Sequence, residues 1–124
     1  MCKILLSINP EHVKNIISGK KKYEYRKVKC QRHIDSILIY STSPIMKVVA
    51  EVEVENIIED TPDNVWEKTK KQSGIEKDFF DKYFYKRERA YAFSLGKLNI
   101  FDKVKTLADF GVKNAPQSFV YLDK

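Results

Sequence analysis

The architecture of this chain turns on how 19-GKKKYEYRK-27 is read. A glycine releases three lysines, a carboxylate is set between two tyrosines, and Arg26 and Lys27 follow. As a strand, the stretch would put Lys22, Glu24 and Arg26 on one face and Tyr23 and Tyr25 on the other, since side chains alternate with a period of two. What precedes it supports that reading. Lys3 to Ile8 is a short apolar run that reads as a buried strand. Asn9 can cap a helix whose first position suits Pro10, because that N–H has no partner anyway. Val13, Ile16 and Ile17 make one core-facing stripe, and Gly19 ends the helix as a left-handed residue would. Lys20 and Lys21 therefore fall in a tight connector.

Beyond Arg26, 36-SILIY-40 is apolar and β-branched, as an interior strand should be. The run 47-KVVAEVEVENII-58 alternates cleanly. It predicts Val48, Ala50, Val52 and Val54 on one side, with Glu51, Glu53 and Glu55 as a solvated face. Thr61 before Pro62 repeats the cap logic, with Val65 and Trp66 on the buried side. In 73-SGIE-76 a capping box is expected, Ser73 and Glu76 satisfying each other's ends. Phe79, Phe80, Tyr83 and Phe84 follow at helical spacing and read as a core stripe, although such spacing also suits base stacking. Then 89-RAYAFSL-95 reads as a strand with Tyr91, Phe93 and Leu95 on one side. The tail has a short helical turn, a proline loop and a last strand. Helices inserted among strands, but not one for one, indicate an α+β fold.

A length of 124 residues suits one domain spanning 1–124. The net charge of +6 biases the partner list toward polyanions, nucleic acid ahead of membrane surface. No segment approaches the roughly 20 apolar residues that span a bilayer. Two cysteines do not make a disulfide framework, and the chain reads as cytoplasmic. Cys30 and His33 have a ligand-like spacing, but no second pair completes a tetrahedral site. Cys2, Cys30, His12 and His33 are therefore read as structural or incidental, with no metal and no cofactor expected. Neither G-x-G-x-x-G, the Walker lysine motif, G-x-S-x-G nor H-E-x-x-H is present.

From Lys20 to Arg32 there are seven basic side chains and one acid, Glu24. Such a run attracts phosphate, and Tyr23 and Tyr25 could offer planar surfaces to bases. From spacing alone, the competing account is that Glu24 pairs with Lys22 and Arg26 in water, each pair contributing about 0.5 kcal/mol.

Gly19, Lys21, Glu24 and Arg26 match the G-x-K-x-x-E-x-R signature of the ASCH domain family, within the PUA-like superfamily. The first strand and helix in 5-LLSINPEHVKNIISGKK-21 resemble that family's. So do the turn and long strand of 39-IYSTSPIMKVVAEVEV-54, and the closing segments 91-YAFSL-95 and 115-APQSFVYL-122. The resemblance implies a small PUA-like β-barrel flanked by helices, with a cleft at one mouth for RNA or a nucleobase-like ligand. Carried over position by position, Lys21, Glu24 and Arg26 would sit in that cleft. Ser41, Thr42 and Ser43 would lie on the neighbouring turn, and Gln117 and Ser118 near the rim.

In those roles Arg26 presents a rigid fork to phosphate or a carbonyl edge, and Lys21 a mobile point charge. Glu24, set among cations, is a poor general base and a good acceptor that can position Arg26 or Lys21, or take a hydrogen bond from a 2′-OH or a base N–H. One branch of the family is an amidohydrolase on acylated cytidine, in which the signature lysine works with a threonine and a separate glutamate; another member is described as a ribonuclease. Here Glu24 occupies the threonine's place, and 67-EKTKKQSG-74 offers no counterpart of the second acid. An RNA- or nucleotide-binding module with a basic cleft is accordingly expected first, and a small hydrolase second. Third is a protein-interaction role, in which the cleft would not matter. Neither the ligand nor the oligomeric state is readable from the chain.

Overall fold

The computed structural model describes residues 2–122. Strand β1 (Lys3–Ile8) leads into helix α1 (Pro10–Ile17), whose first turn is capped by Asn9, its Oδ1 accepting from the Glu11 N–H. The chain then forms β2 (Tyr23–Arg26), β3 (Ser36–Ser41) and a long β4 (Lys47–Asp60). Helix α2 (Pro62–Thr69), a short 3-10 turn (Lys70–Gln72) and helix α3 (Lys77–Tyr83) follow. The 16-residue β5 (Ala90–Lys105), a second 3-10 turn (Ala108–Phe110) and β6 (Phe119–Leu122) complete it. No helix among these residues is long and apolar enough to cross a membrane.

All six strands join one mixed sheet in the order β2-β5-β4-β3-β1-β6. β1 and β3 run parallel; every other pair is antiparallel. On a flat sheet β2 and β1, four spacings apart, would lie roughly 19 Å from each other. Yet the Arg26 guanidinium on β2 donates from Nη2 to the Ser7 carbonyl of β1 at 3.0 Å. The sheet must therefore curl, and it forms a half-barrel with helices packed on it, the PUA-like α+β architecture. Irregularities supply the curvature. The β4–β5 register shifts three times, between Val48 and Ala50, Val52 and Val54, and Val54 and Asn56. Each such extra residue bends its strand and increases the local twist.

β1 and β3 are covered on both faces, which is why they read as continuous apolar runs. Ile4, Leu6, Ile8, Ile37 and Ile39 enter one cluster with Val13 and Ile16 of α1; Leu5, Leu38 and Tyr40 enter another on the opposite face. The β4 alternation holds with one exception. Ala50, Val52 and Val54 share the first cluster, but the irregularity before Ala50 brings Val49 to that side and sends Val48 to the other. Of the facing glutamates, Glu53 and Glu55 are exposed, whereas Glu51 is half-buried between Lys3 (2.8 Å) and the Ser36 hydroxyl (2.6 Å).

Two local expectations are revised. Ser73 and Glu76 form no capping box; the Ser73 hydroxyl closes a turn with Ile75, and Glu76 precedes α3 without a side-chain cap. The aromatic stripe of α3 also divides. Phe80 and Phe84 join Trp66, Val65, Tyr25, Ala90 and Ala92 in a third core cluster. Phe79 lies outside it and is 49% exposed, whereas Tyr83 packs against its edge, its ring 4.8 Å from that of Phe84. Truncating Phe80, 1% exposed, should cost about 3–5 kcal/mol in urea unfolding, while Phe79→Ala should cost much less. Equal losses would show that α3 buries both rings.

Candidate functional site

Three turns converge on Lys21. Gly19, at φ +86°, releases the chain from α1, and the Lys21 N–H returns to the Asn15 carbonyl at 3.0 Å. The Lys22 N–H reaches the Gln72 carbonyl at 2.9 Å, tying the connector to the segment before α3. So held, Lys21 is only 3% exposed. Its ammonium donates to the Ser73 carbonyl at 3.2 Å, lies 3.8 Å from Glu24 Oε1, and sits 4.8 Å from the Tyr25 ring centre. Gly74 permits this approach twice over. Its φ is +70°, and a Cβ there would stand 2.4 Å from the Lys21 Cβ.

Glu24 is the hinge of the group. Its Oε2 accepts from Arg26 Nη2 at 2.9 Å, and that nitrogen also donates to Ser7. The three charged side chains are buried, so this is no solvated ion pair, and Glu24 pairs with Lys21 rather than Lys22. The rest of the basic run disperses. Lys20 and Lys22 are exposed, Lys29 faces Glu59, Arg32 lies over the Tyr121 ring, and Lys27 lies over the Tyr83 ring at 4.6 Å. Tyr25 is buried on the wall of the cavity described below; its hydroxyl donates to Thr69, and burial raises its pKa to about 12.

Lys21, Glu24 and Arg26 open onto a cavity of about 700 Å³. β1 contributes Ser7 and Ile8; α1 and its cap contribute Asn9, Glu11, His12 and Asn15; the loop into α3 contributes Gly74, Ile75 and Glu76, and α3 itself Phe79 and Tyr83. Among the described residues, three buried side-chain polar atoms have no hydrogen-bond partner: Glu24 Oε1, Arg26 Nε and His12 Nδ1. All three belong to residues of this cavity wall. Buried groups of this kind cost about 1–3 kcal/mol each when unsatisfied, so each calls for a partner such as an ordered water, an ion or a ligand.

His12 is the residue that sequence reasoning set aside. Its ring meets Phe79 edge-on at 5.3 Å, and burial, then the Lys21 charge, hold its pKa below the ordinary value of 6.5. Burial likewise lowers the pKa of Lys21, with Arg26 adding to the effect and Glu24 opposing it. Glu76, two residues beyond 67-EKTKKQSG-74, also lines the cavity, an acid that no local sequence pattern singles out as part of a site. The remaining sequence-derived candidates are not among its lining residues. Ser41 is buried at the end of β3; Thr42 donates its N–H to the Ile8 carbonyl; Ser43 and Gln117 are exposed; Ser118 offers its carbonyl to the Ser7 N–H at 3.5 Å. Among the described residues no group of three or more His, Cys, Asp or Glu is placed to hold a metal ion.

Residues 6–99 match the family model of the ASCH domain. The chain belongs to the ASCH domain family. Its likeness to an ASCH protein from Zymomonas mobilis runs through the whole fold: the crystal structure of that protein superposes with a TM-score of 0.88 at 26% identity, covering 98% of this chain and 88% of that one. A Zymomonas mobilis protein named an ASCH domain-containing ribonuclease is 28% identical over 97% of this chain and 84% of its own length. A Ureaplasma parvum protein named ATP synthase subunit alpha is 29% identical over 96% of this chain, which spans 15% of that relative's length.

Two measurements test how this ASCH site is held. Gly74→Ala should destabilise the fold by more than the ~1–2 kcal/mol of the left-handed backbone alone, because the new methyl group also displaces Lys21. A loss within ~0.5 kcal/mol would place the loop away from Lys21. His12, harder to protonate folded than unfolded, contributes stability that is complete above about pH 6.5 and is lost as pH falls through its folded pKa. His12→Asn should therefore lose less stability than the parent between about pH 7.5 and 5.5 in urea titrations, and parallel curves would place the imidazole in water.

Proposed function

We propose that this ASCH domain binds RNA or a nucleotide by taking a base into the cavity around Lys21, Glu24 and Arg26. The observation that carries the reading is the convergence of three unpartnered buried polar atoms on one hollow. Its volume falls within the roughly 300–1,000 Å³ typical of small-ligand sites. The half-exposed Phe79 ring supplies a stacking surface on the wall.

The lining amends the expectation of a basic cleft. It carries two cations, Lys21 and Arg26, against three carboxylates, Glu11, Glu24 and Glu76. Such a wall favours a neutral polar ring over a phosphate. Phosphates would stay outside, where Lys27 marks the rim beside Tyr83 and the +6 excess of the chain contributes long-range attraction.

Cleavage of the bound RNA is a second reading, supported by His12. An imidazole held neutral on the cavity wall can accept the proton of a 2′-OH as that oxygen attacks the adjacent phosphorus at the cavity mouth; the P–O5′ bond breaks, the 5′-oxygen takes a proton from water to leave a 2′,3′-cyclic phosphate, and Lys27 at the rim offsets the added negative charge. The ribonuclease name of the Zymomonas mobilis relative agrees with it.

Labelled single-stranded RNA separates the two. Phe79→Ala should weaken binding about tenfold in fluorescence anisotropy, through lost stacking. His12→Ala should abolish any cleavage seen on a gel while RNA binding remains measurable by anisotropy. Unchanged affinity on truncating Phe79 would remove the cavity from RNA recognition.

A further inference from the structure

The bonding pattern of the site is specific enough to name a ligand edge. Glu24 spends Oε2 on Arg26, which leaves Oε1 as a single open acceptor. The Lys21 ammonium stands 3.8 Å from that oxygen, with one hydrogen bond made, to Ser73. Arg26 has its Nη2 engaged by Glu24 and Ser7, and its buried Nε–H has no partner. The cavity lining thus gathers one anionic acceptor and two cationic donors at Glu24, Lys21 and Arg26.

We infer that the cavity selects a cyclic imide edge, two carbonyls flanking an N–H, which among RNA bases is uracil. The inference rests on the nucleotide-binding reading above. Uracil offers O4, N3–H and O2 in that order, so its N–H meets Glu24 Oε1 and its carbonyls meet Lys21 and Arg26. Cytosine and adenine instead turn a ring-nitrogen lone pair toward the carboxylate, and acceptor faces acceptor. Guanine supplies the central N–H, but its amino group points a second donor at a cation. Each wrong base also leaves a buried charged group unsatisfied, which makes the discrimination steeper than the gain of the correct bond. The uracil ring is neutral, as a wall of two cations and three carboxylates requires, and it can stack on Phe79.

The test uses the full chain with uridine, cytidine and 3-methyluridine in calorimetric or NMR titrations, and with U-rich and C-rich single-stranded RNA in anisotropy. Uridine is expected to bind at least about tenfold tighter than cytidine or 3-methyluridine, whose methyl group removes the N–H and nothing else of the imide. The RNA pair should follow the same order. Glu24→Gln should reduce the uridine-to-cytidine ratio to within about threefold, because a carboxamide can turn either O or N–H toward the base. The 3-methyluridine comparison needs no variant, so it decides the matter even if Glu24→Gln fails to fold. Equal affinity for the three nucleosides overturns the imide assignment and leaves nucleotide binding standing. Absence of binding to any nucleoside or RNA overturns both.

Discussion

Arg26 and Ser7 lie on strands four places apart in one sheet, and a guanidinium spans them. That contact requires the sheet to curl until its β2 edge faces the end of β1, and the cavity described above is lined by residues of both strands. It also fixes what else must be present. A guanidinium taken out of water demands a counter-charge, and Glu24, two residues earlier on the same strand, provides it at 2.9 Å. Lys21 then balances the second oxygen of Glu24 from the opposite side.

A buried charge row of this kind is an expensive way to stabilise a fold. Replacing such groups with apolar residues of similar volume is often neutral or better for stability. Here the row is also incompletely satisfied: Glu24 Oε1, though 3.8 Å from the Lys21 ammonium, and Arg26 Nε are buried without a hydrogen-bond partner. Stability alone does not account for both features, and the proposed base-binding role would. The aromatic helix shows the same division of labour within two turns. Phe80 and Phe84 close the core against Trp66 and Tyr25, while Phe79 and Tyr83 are turned to the cavity beside His12.

The burial of Lys21 illustrates how closely chain geometry and chemistry are coupled. The ammonium can enter the interior because Gly19 and Gly74 each adopt a left-handed backbone and Gly74 carries no Cβ to exclude it. Burial in turn weakens its hold on its proton, and its charge does the same to His12 across the cavity. Two basic groups that titrate below their usual ranges thus share one wall, an arrangement suited to proton transfer as well as to hydrogen bonding.

Local physics alone determined much of this in the chain. The Asn9 and Thr61 caps, the left-handed turn at Gly19, and the doubly buried β1 and β3 depend on a few neighbouring residues, so they are legible without coordinates. The spacing of Lys21, Glu24 and Arg26 belongs with them, since it lies within one connector and one short strand. Tertiary structure decided the rest. The cavity wall brings Lys21 together with Ser73, 52 residues away, and with His12, Glu76 and Phe79 from elements that share no local pattern with it. The irregularities that turn Val48 to the other face and curl the sheet arise from pairing between strands, which the alternation of one strand does not encode. Even the sign of the cleft was hidden for this reason. A run of seven cations in sequence looks like a basic patch, but folding buries two of them around a carboxylate and scatters others over different surfaces.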